Sequence, residues 1–167
     1  PSECRPQAKR SLTVTAVNDV AIISGVATGS VAEDTSVNGS GNLTTSGTLT
    51  IVDPDAGQAS FVPQASAAGT YGTFTLGTNG AWTYTANNAQ TAIQQLGAGQ
   101  SLNDSFTATS SDGAATRIVS VTIQGTNDIP VIAGVSTGTV TEEVAVTGGN
   151  LTTSGTLTIT DADTGQA

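Results

Sequence analysis

The chain has 167 residues, of which 37% are hydrophobic and only 10% charged, and its formal net charge is -9. So acidic a balance excludes nucleic acid as a partner, because phosphate backbones are bound by basic footprints. Thr, Ser, Gly, Ala and Val dominate, which favours strands and turns over helices and makes a mostly β protein the expectation.

Residues 1–10 match nothing else in the chain and read as a tail. The tail holds Cys4, the sole cysteine, which cannot form an internal disulfide and reads as an idle thiol on a loosely ordered end. The other reading of Cys4 is an intermolecular bridge or attachment point. With no Met, the sequence reads as a processed product or a fragment. No apolar run approaches membrane-spanning length, so no membrane insertion is expected.

Leu12, Val14 and Ala16 alternate with Thr13 and Thr15, the period-two pattern of a half-buried strand. Their counterparts later in the chain are Val121, Ile123 and Gly125, so residues 11–17 read as the closing strand of a preceding module. A complete module is expected over 18–124. Its first strand runs through Ala21–Ile23 towards Val31, broken by Gly25 and Gly29. A polar loop at Asn38–Gly41 differs by a single residue between two copies of the module, which places it at the surface. Leu49 and Ile51 alternate with polar neighbours until Asp53-Pro54-Asp55 ends the strand.

The hairpin Thr73–Tyr84 is the clearest local signal: Asn79-Gly80 supplies positive φ angles for a tight turn between alternating flanks. Phe74, Leu76, Trp82 and Tyr84 are expected in the core, which otherwise draws on Val, Ile, Leu and Ala. Ala92, Ile93 and Leu96 at helical spacing, stopped by Gly97, predict one short helical turn. Strands near 105–109 and 117–124 complete a two-sheet antiparallel sandwich. Residues 125–167 then read as a linker and the first half of a following module.

The repetition is explicit. Gly47-Thr-Leu-Thr-Ile-Val-Asp53-Pro-Asp55-Ala-Gly57-Gln-Ala59 returns as Gly155-Thr-Leu-Thr-Ile-Thr-Asp161-Ala-Asp163-Thr-Gly165-Gln-Ala167. Asn18-Asp19 returns as Asn127-Asp128, and Glu33-Asp34 as Glu142-Glu143. Apart from Glu3, every acidic residue falls at a predicted strand end, where carboxylates gathered from separate loops suit a hard cation. The same acids also serve as ordinary turn formers. Asp53-Pro54-Asp55 opens like an EF-hand loop, but its twelfth position is Gln64, where a bidentate Glu is needed.

The order Val31–Asp34, Gly47–Asp55, Gly69–Tyr84, Asp104–Thr107, Ser111–Gly113 and Gly125–Pro130 resembles the VCBS repeat of very large bacterial surface and secreted proteins, similar in layout to cadherin modules. The resemblance implies an Ig/cadherin-like all-β sandwich, with calcium (Ca2+) at each junction between modules. It implies one ligand group of Asn18, Asp19, Asp53, Asp55 and Asp112 at the leading end. At the trailing end it implies Glu33, Asp34, Asp104, Asn127, Asp128, Asp161 and Asp163.

Catalysis is not expected: His is absent, no Cys lies in the module, and no Ser stands in a nucleophile-elbow sequence. The expected role is an extracellular or cell-surface spacer whose partners are neighbouring repeat modules. The alternatives are a homo-oligomer or fibre joined by strand exchange, and a glycan- or protein-binding module. Asn42 and Asn150 match glycosylation sequons that a Thr-rich chain produces by chance.

Overall fold

A computed structural model describes residues 12–35 and 37–167. The tail with Cys4, and residue 11 of the expected closing strand, lie outside them. The chain folds as the β-sandwich expected. A five-stranded sheet has the order β1-β3-β6-β5-β4, and a three-stranded sheet the order β2-β8-β7. The strands are β1 (Ile22–Gly25), β2 (Thr28–Ala32), β3 (Asn42–Val52), β4 (Gln64–Ala68), β5 (Gly72–Leu76), β6 (Ala81–Asn87), β7 (Ser101–Thr109) and β8 (Thr116–Gln124). One turn of helix, α1 (Thr91–Gln94), crosses between the sheets and buries Ile93.

The single broken strand expected at 21–31 is two strands in different sheets. β1 pairs antiparallel with the end of β3, and β2 pairs parallel with β8. The crossing is made at Gly25, whose φ of +90 no other residue adopts without strain. Gly29, by contrast, lies inside β2, where a Cβ would press on the Thr45 methyl at 3.0 Å and the Trp82 ring at 3.1 Å.

The hairpin of β5 and β6 is a four-residue turn rather than a two-residue one. The Gly80 N–H donates to the Gly77 carbonyl at 3.0 Å and the Gly77 N–H to the Ala81 carbonyl at 2.8 Å. Of the pair expected at positive φ, Gly80 alone takes it; Asn79 instead accepts from the Ala81 N–H through its side chain. Phe74, Leu76, Trp82 and Tyr84 all point inward as expected. The core is more aromatic than the composition suggested. Phe61 and Phe106 join it, and the Phe74 ring centroid stands 4.6 Å from that of Tyr84 and 4.7 Å from that of Phe106.

Past the linker, β9 (Val131–Gly134) pairs with β12 (Leu157–Thr160), and β10 (Val146–Thr147) with β11 (Asn150–Leu151). The β9–β12 register, Val131 to Thr160 and Gly134 to Leu157, repeats that of β1–β3, Ile22 to Val52 and Gly25 to Leu49. Left-handed backbone recurs too, at Asp34 (φ 57) and its counterpart Glu143 (φ 62). Leu157 is exposed where its counterpart Leu49 is fully buried, because among the described residues no sheet faces β9–β12.

Residues 12–21 form no strand, and Leu12 and Val14 are exposed. An extended segment becomes a strand only when a neighbour takes its backbone hydrogen bonds, and nothing among the described residues pairs with this one. Among the described residues no helix is long and apolar enough to cross a membrane.

Candidate metal centres at the two ends of the sandwich

At the leading end, Asp53 closes an Asx turn by accepting the Asp55 N–H on Oδ1 at 2.9 Å. The turn aims the Asp55 carboxylate back at the linker, where Oδ2 accepts the Asp19 N–H at 2.8 Å. From the opposite sheet, the turn after β7 brings Asp112, whose Oδ2 accepts Asn18 Nδ2 at 2.8 Å. That amide, with help from Ser110, holds the Asp112 carboxyl below the usual carboxylate range. Asn18 also donates to the Asp19 carbonyl at 3.2 Å. Asn18, Asp19, Asp53, Asp55 and Asp112 are thus linked by direct hydrogen bonds.

The trailing end repeats the pattern. Asp163 N–H donates to Asp161 Oδ1 at 2.9 Å, Asp128 N–H to Asp163 Oδ2 at 3.0 Å, and Asn127 Nδ2 to the Asp128 carbonyl at 2.6 Å. Glu33, at the end of β2, is fully buried and accepts the Thr126 N–H on Oε1 at 3.0 Å. Burial pushes the Glu33 carboxyl above its ordinary range against that hydrogen bond, and the charges of Asp34, Asp128 and Asp163 add to the rise. Asp34, in left-handed backbone, is held by Asn88 Nδ2 at 2.7 Å and Gln94 Nε2 at 3.1 Å, and the Asn88 and Gln94 amides draw its carboxyl down. Asp128 is pushed up by desolvation and by the charges of Asp34, Asp163 and Asp161.

Three buried side-chain atoms of the described residues lack a hydrogen-bond partner: Glu33 Oε2, Asp53 Oδ2 and Asp163 Oδ1. All are carboxylate oxygens, and all lie in these two groups. Their donor chemistry, hard anionic oxygen with backbone carbonyls nearby, fits calcium. Among the described residues no three carboxylates already stand together as a cage, so an ion would have to draw them inward.

Asp104 does not join the trailing group. Its Oδ1 accepts the N–H groups of Thr70 and Ser105 at 2.7 and 3.0 Å. Its Oδ2 accepts those of Tyr71 and Gly72, both at 2.9 Å, and the Tyr84 hydroxyl at 3.0 Å. Burial raises this carboxyl, but the donors outweigh it and hold it low, while Tyr84 is pushed well above its ordinary range. Asp104 is therefore committed to closing the β4–β5 turn onto β7.

Sequence reasoning missed the residues that serve the acids: Asn88 and Gln94, which fix Asp34, and the Thr126 amide, which fixes Glu33. Polar residues beside a predicted helical turn are the only signal that Asn88 and Gln94 offer.

No curated protein matches the chain. The family described as bacterial cadherin-like domain matches residues 18–125, which takes in both sheets of the sandwich, the whole leading acidic group, and Glu33 and Asp34 of the trailing one. With the fold and this match covering well over half its length, the chain belongs to the bacterial cadherin-like domain family.

Proposed function

We propose that this chain is a calcium-stiffened spacer, a VCBS-type repeat in an extracellular bacterial surface or secreted adhesin. Family membership already makes it a structural, adhesion-type module, of a kind that is in general non-catalytic. The finer reading rests on one observation: the orphaned buried oxygens of the described residues are Glu33 Oε2, Asp53 Oδ2 and Asp163 Oδ1. A buried carboxylate oxygen without a partner is costly, and a divalent ion removes that cost while cancelling the repulsion among its neighbours. At the trailing end the ligands come from both sides of the linker. Binding there would tie the sandwich to the next module.

In the bound state the chain's own groups do the positioning. Thr126 and Asn88 aim Glu33 and Asp34, and the Asx turn at Asp161 aims Asp163 at the linker. Calcium supplies the positive charge around which these oxygens converge. Extracellular calcium modules bind at roughly 10⁻⁴ to 10⁻³ M, so such a joint stiffens outside a cell and relaxes in calcium-poor cytosol.

Glu33→Gln separates the cation from the turn-forming role. The folded Glu33 carboxyl is raised above 4.5, so without calcium stability falls as pH rises from there through the folded pKa. Glutamine removes that loss, and its amide can donate to the neighbouring carboxylates. In EGTA at neutral pH the variant is expected to melt about 4 °C above wild type, equivalent to about 1 kcal/mol in a domain of this size. In a calorimetric titration it should lose the trailing calcium site. Unchanged calcium binding by Glu33→Gln would remove Glu33 from the ligand set.

A further inference from the structure

The two Asp-x-Asp loops, Asp53–Gln58 and Asp161–Gln166, form an internal comparison. Each Asx turn measures 2.9 Å, from Asp55 to Asp53 and from Asp163 to Asp161. The linker amides of Asp19 and Asp128 reach them at 2.8 and 3.0 Å. Gly57 and Gly165 have φ of 85 and 82. Yet Asp163 is buried and Asp55 only half-buried. The loops share this backbone geometry and differ in one side-chain bond, Gln166 Nε2 to Asp163 Oδ2 at 3.0 Å, which Gln58 does not make to Asp55; the burial differs with what surrounds them.

The second loop sits on the turn that follows α1. Thr164 N–H donates to the Gln95 carbonyl at 3.2 Å. At Gly97 there is no side chain, and the space is taken by the amide end of the Gln166 side chain, which donates to Asp163 Oδ2 at 3.0 Å. A Cβ at 97 would come within 2.7 Å of Gln166 Nε2 and 3.6 Å of the Asp163 carboxylate, and these are its nearest neighbours. The turn is tied to the sandwich. Ile93 and Leu96 anchor it in the core, and Gly97 N–H donates to Gln100 Oε1 at 3.0 Å. Neither contact at Gln95 or Gly97 uses a carboxylate of the sandwich.

We infer that the turn Gln95–Gly97 is a docking seat for the Asp-x-Asp-x-Gly-Gln loop of the following module. The seat sets the angle between modules through one backbone hydrogen bond and the missing side chain at 97, independently of any cation. The inference rests on the reading of the chain as an array of modules, but not on calcium. The partner is a loop that offers a free backbone N–H just after its second Asp and a Gln three residues past it. On the same chemistry, Asp53–Gln58, with Ala56 and Gly57 exposed, is the face that the seat of a preceding module would take.

The test is Gly97→Leu in the full chain. Gly97 has an ordinary backbone and its nearest neighbours lie in the second loop, so the sandwich should fold, as the emission and unfolding midpoint of Trp82 would report. Spin labels at Thr107→Cys on β7 and Thr158→Cys on β12, in a Cys4→Ser background, measure the distance across the joint. Unmodified Gly97 should give one narrow distribution in calcium and a single, moderately wider one in EGTA, where the joint has lost its cation, and Gly97→Leu should at least double the width in EGTA. Thr164→Pro, which removes the donor from the other side, should broaden it likewise and serves if Gly97→Leu does not fold. A distribution unchanged by both substitutions would overturn the seat, as would one already as broad with Gly97 in EGTA. Broadening by Gly97→Leu in a protein that gains no stability from calcium would uphold the seat and defeat the metal reading.

Discussion

Trp82→Ala is expected to destabilise the sandwich by about 3 to 5 kcal/mol. The side chain is 1% exposed and spans the space between the sheets, filling the room left by Gly47 on β3 and Gly29 on β2. Its Nε1 donates to the Val26 carbonyl at 2.7 Å, just where the chain crosses from one sheet to the other after Gly25. Truncation would open a cavity bounded by glycines, which have no side chains to collapse into it, and would strand a carbonyl. Against a total stability of about 5 to 15 kcal/mol for a typical domain, that loss brings the fold near its limit. Urea unfolding followed by far-ultraviolet circular dichroism measures it. Trp82→Phe keeps part of the buried area but loses the N–H and the ring atoms that lie against Gly47 and Gly29, and should cost about 2 kcal/mol. Equal effects of the two would show that the hydrogen bond, not the filled volume, is what matters.

Asp104→Asn is expected to cost about 3 kcal/mol, although it changes a single atom. An amide has one acceptor oxygen. Whichever way it is turned, its NH2 faces two backbone donors: Thr70 and Ser105 on one side, Tyr71 and Gly72 on the other. Two part-buried N–H groups then lose their acceptor, and the charge that strengthened the remaining bonds is gone. The pH dependence has a definite sign. The folded Asp104 carboxyl lies below 3.8, so its contribution is fully present above that value and is lost as pH falls through the folded pKa. Wild type should therefore approach Asp104→Asn in stability in strong acid and separate from it above about pH 4. Parallel pH profiles would mean that the carboxylate is not what holds the turn.

Much of the fold was legible because it is local. The alternation of Phe74, Leu76, Trp82 and Tyr84 about a Gly-containing turn specifies a hairpin and its inward face without reference to the rest of the chain. The switch of sheets at Gly25 was not legible, since a glycine that breaks a strand and one that carries it to another sheet read alike. Residues 12–16 show the converse: their period-two pattern marks a capacity to pair, which a partner must realise.

The acids divide in the same way. Repetition drew attention to Asp53, Asp55, Asp161 and Asp163, and the structure gives both loops the same Asx turn and the same hydrogen bond from the linker. Asp104 looked like another strand-end carboxylate. Its actual partners, Thr70, Tyr71, Gly72 and Tyr84, come from distant parts of the sequence, and only packing reveals that both its oxygens are taken. Seat residues such as Gln95 and Gly97 act through a backbone carbonyl and an absent side chain, which leave little trace in composition or motif.

The central claim, that the two acidic ends are cation sites, is tested most directly by thermal unfolding of the full chain, followed by Trp82 emission in EGTA and in 10 mM calcium. At affinities of about 10⁻⁴ to 10⁻³ M, each site should add about 1.4 to 2.7 kcal/mol, which raises the midpoint by roughly 10 °C. Asp53→Asn with Asp55→Asn should remove the part of the rise that belongs to the leading end. Coincident curves in EGTA and calcium would contradict the account and leave these carboxylates as turn formers alone.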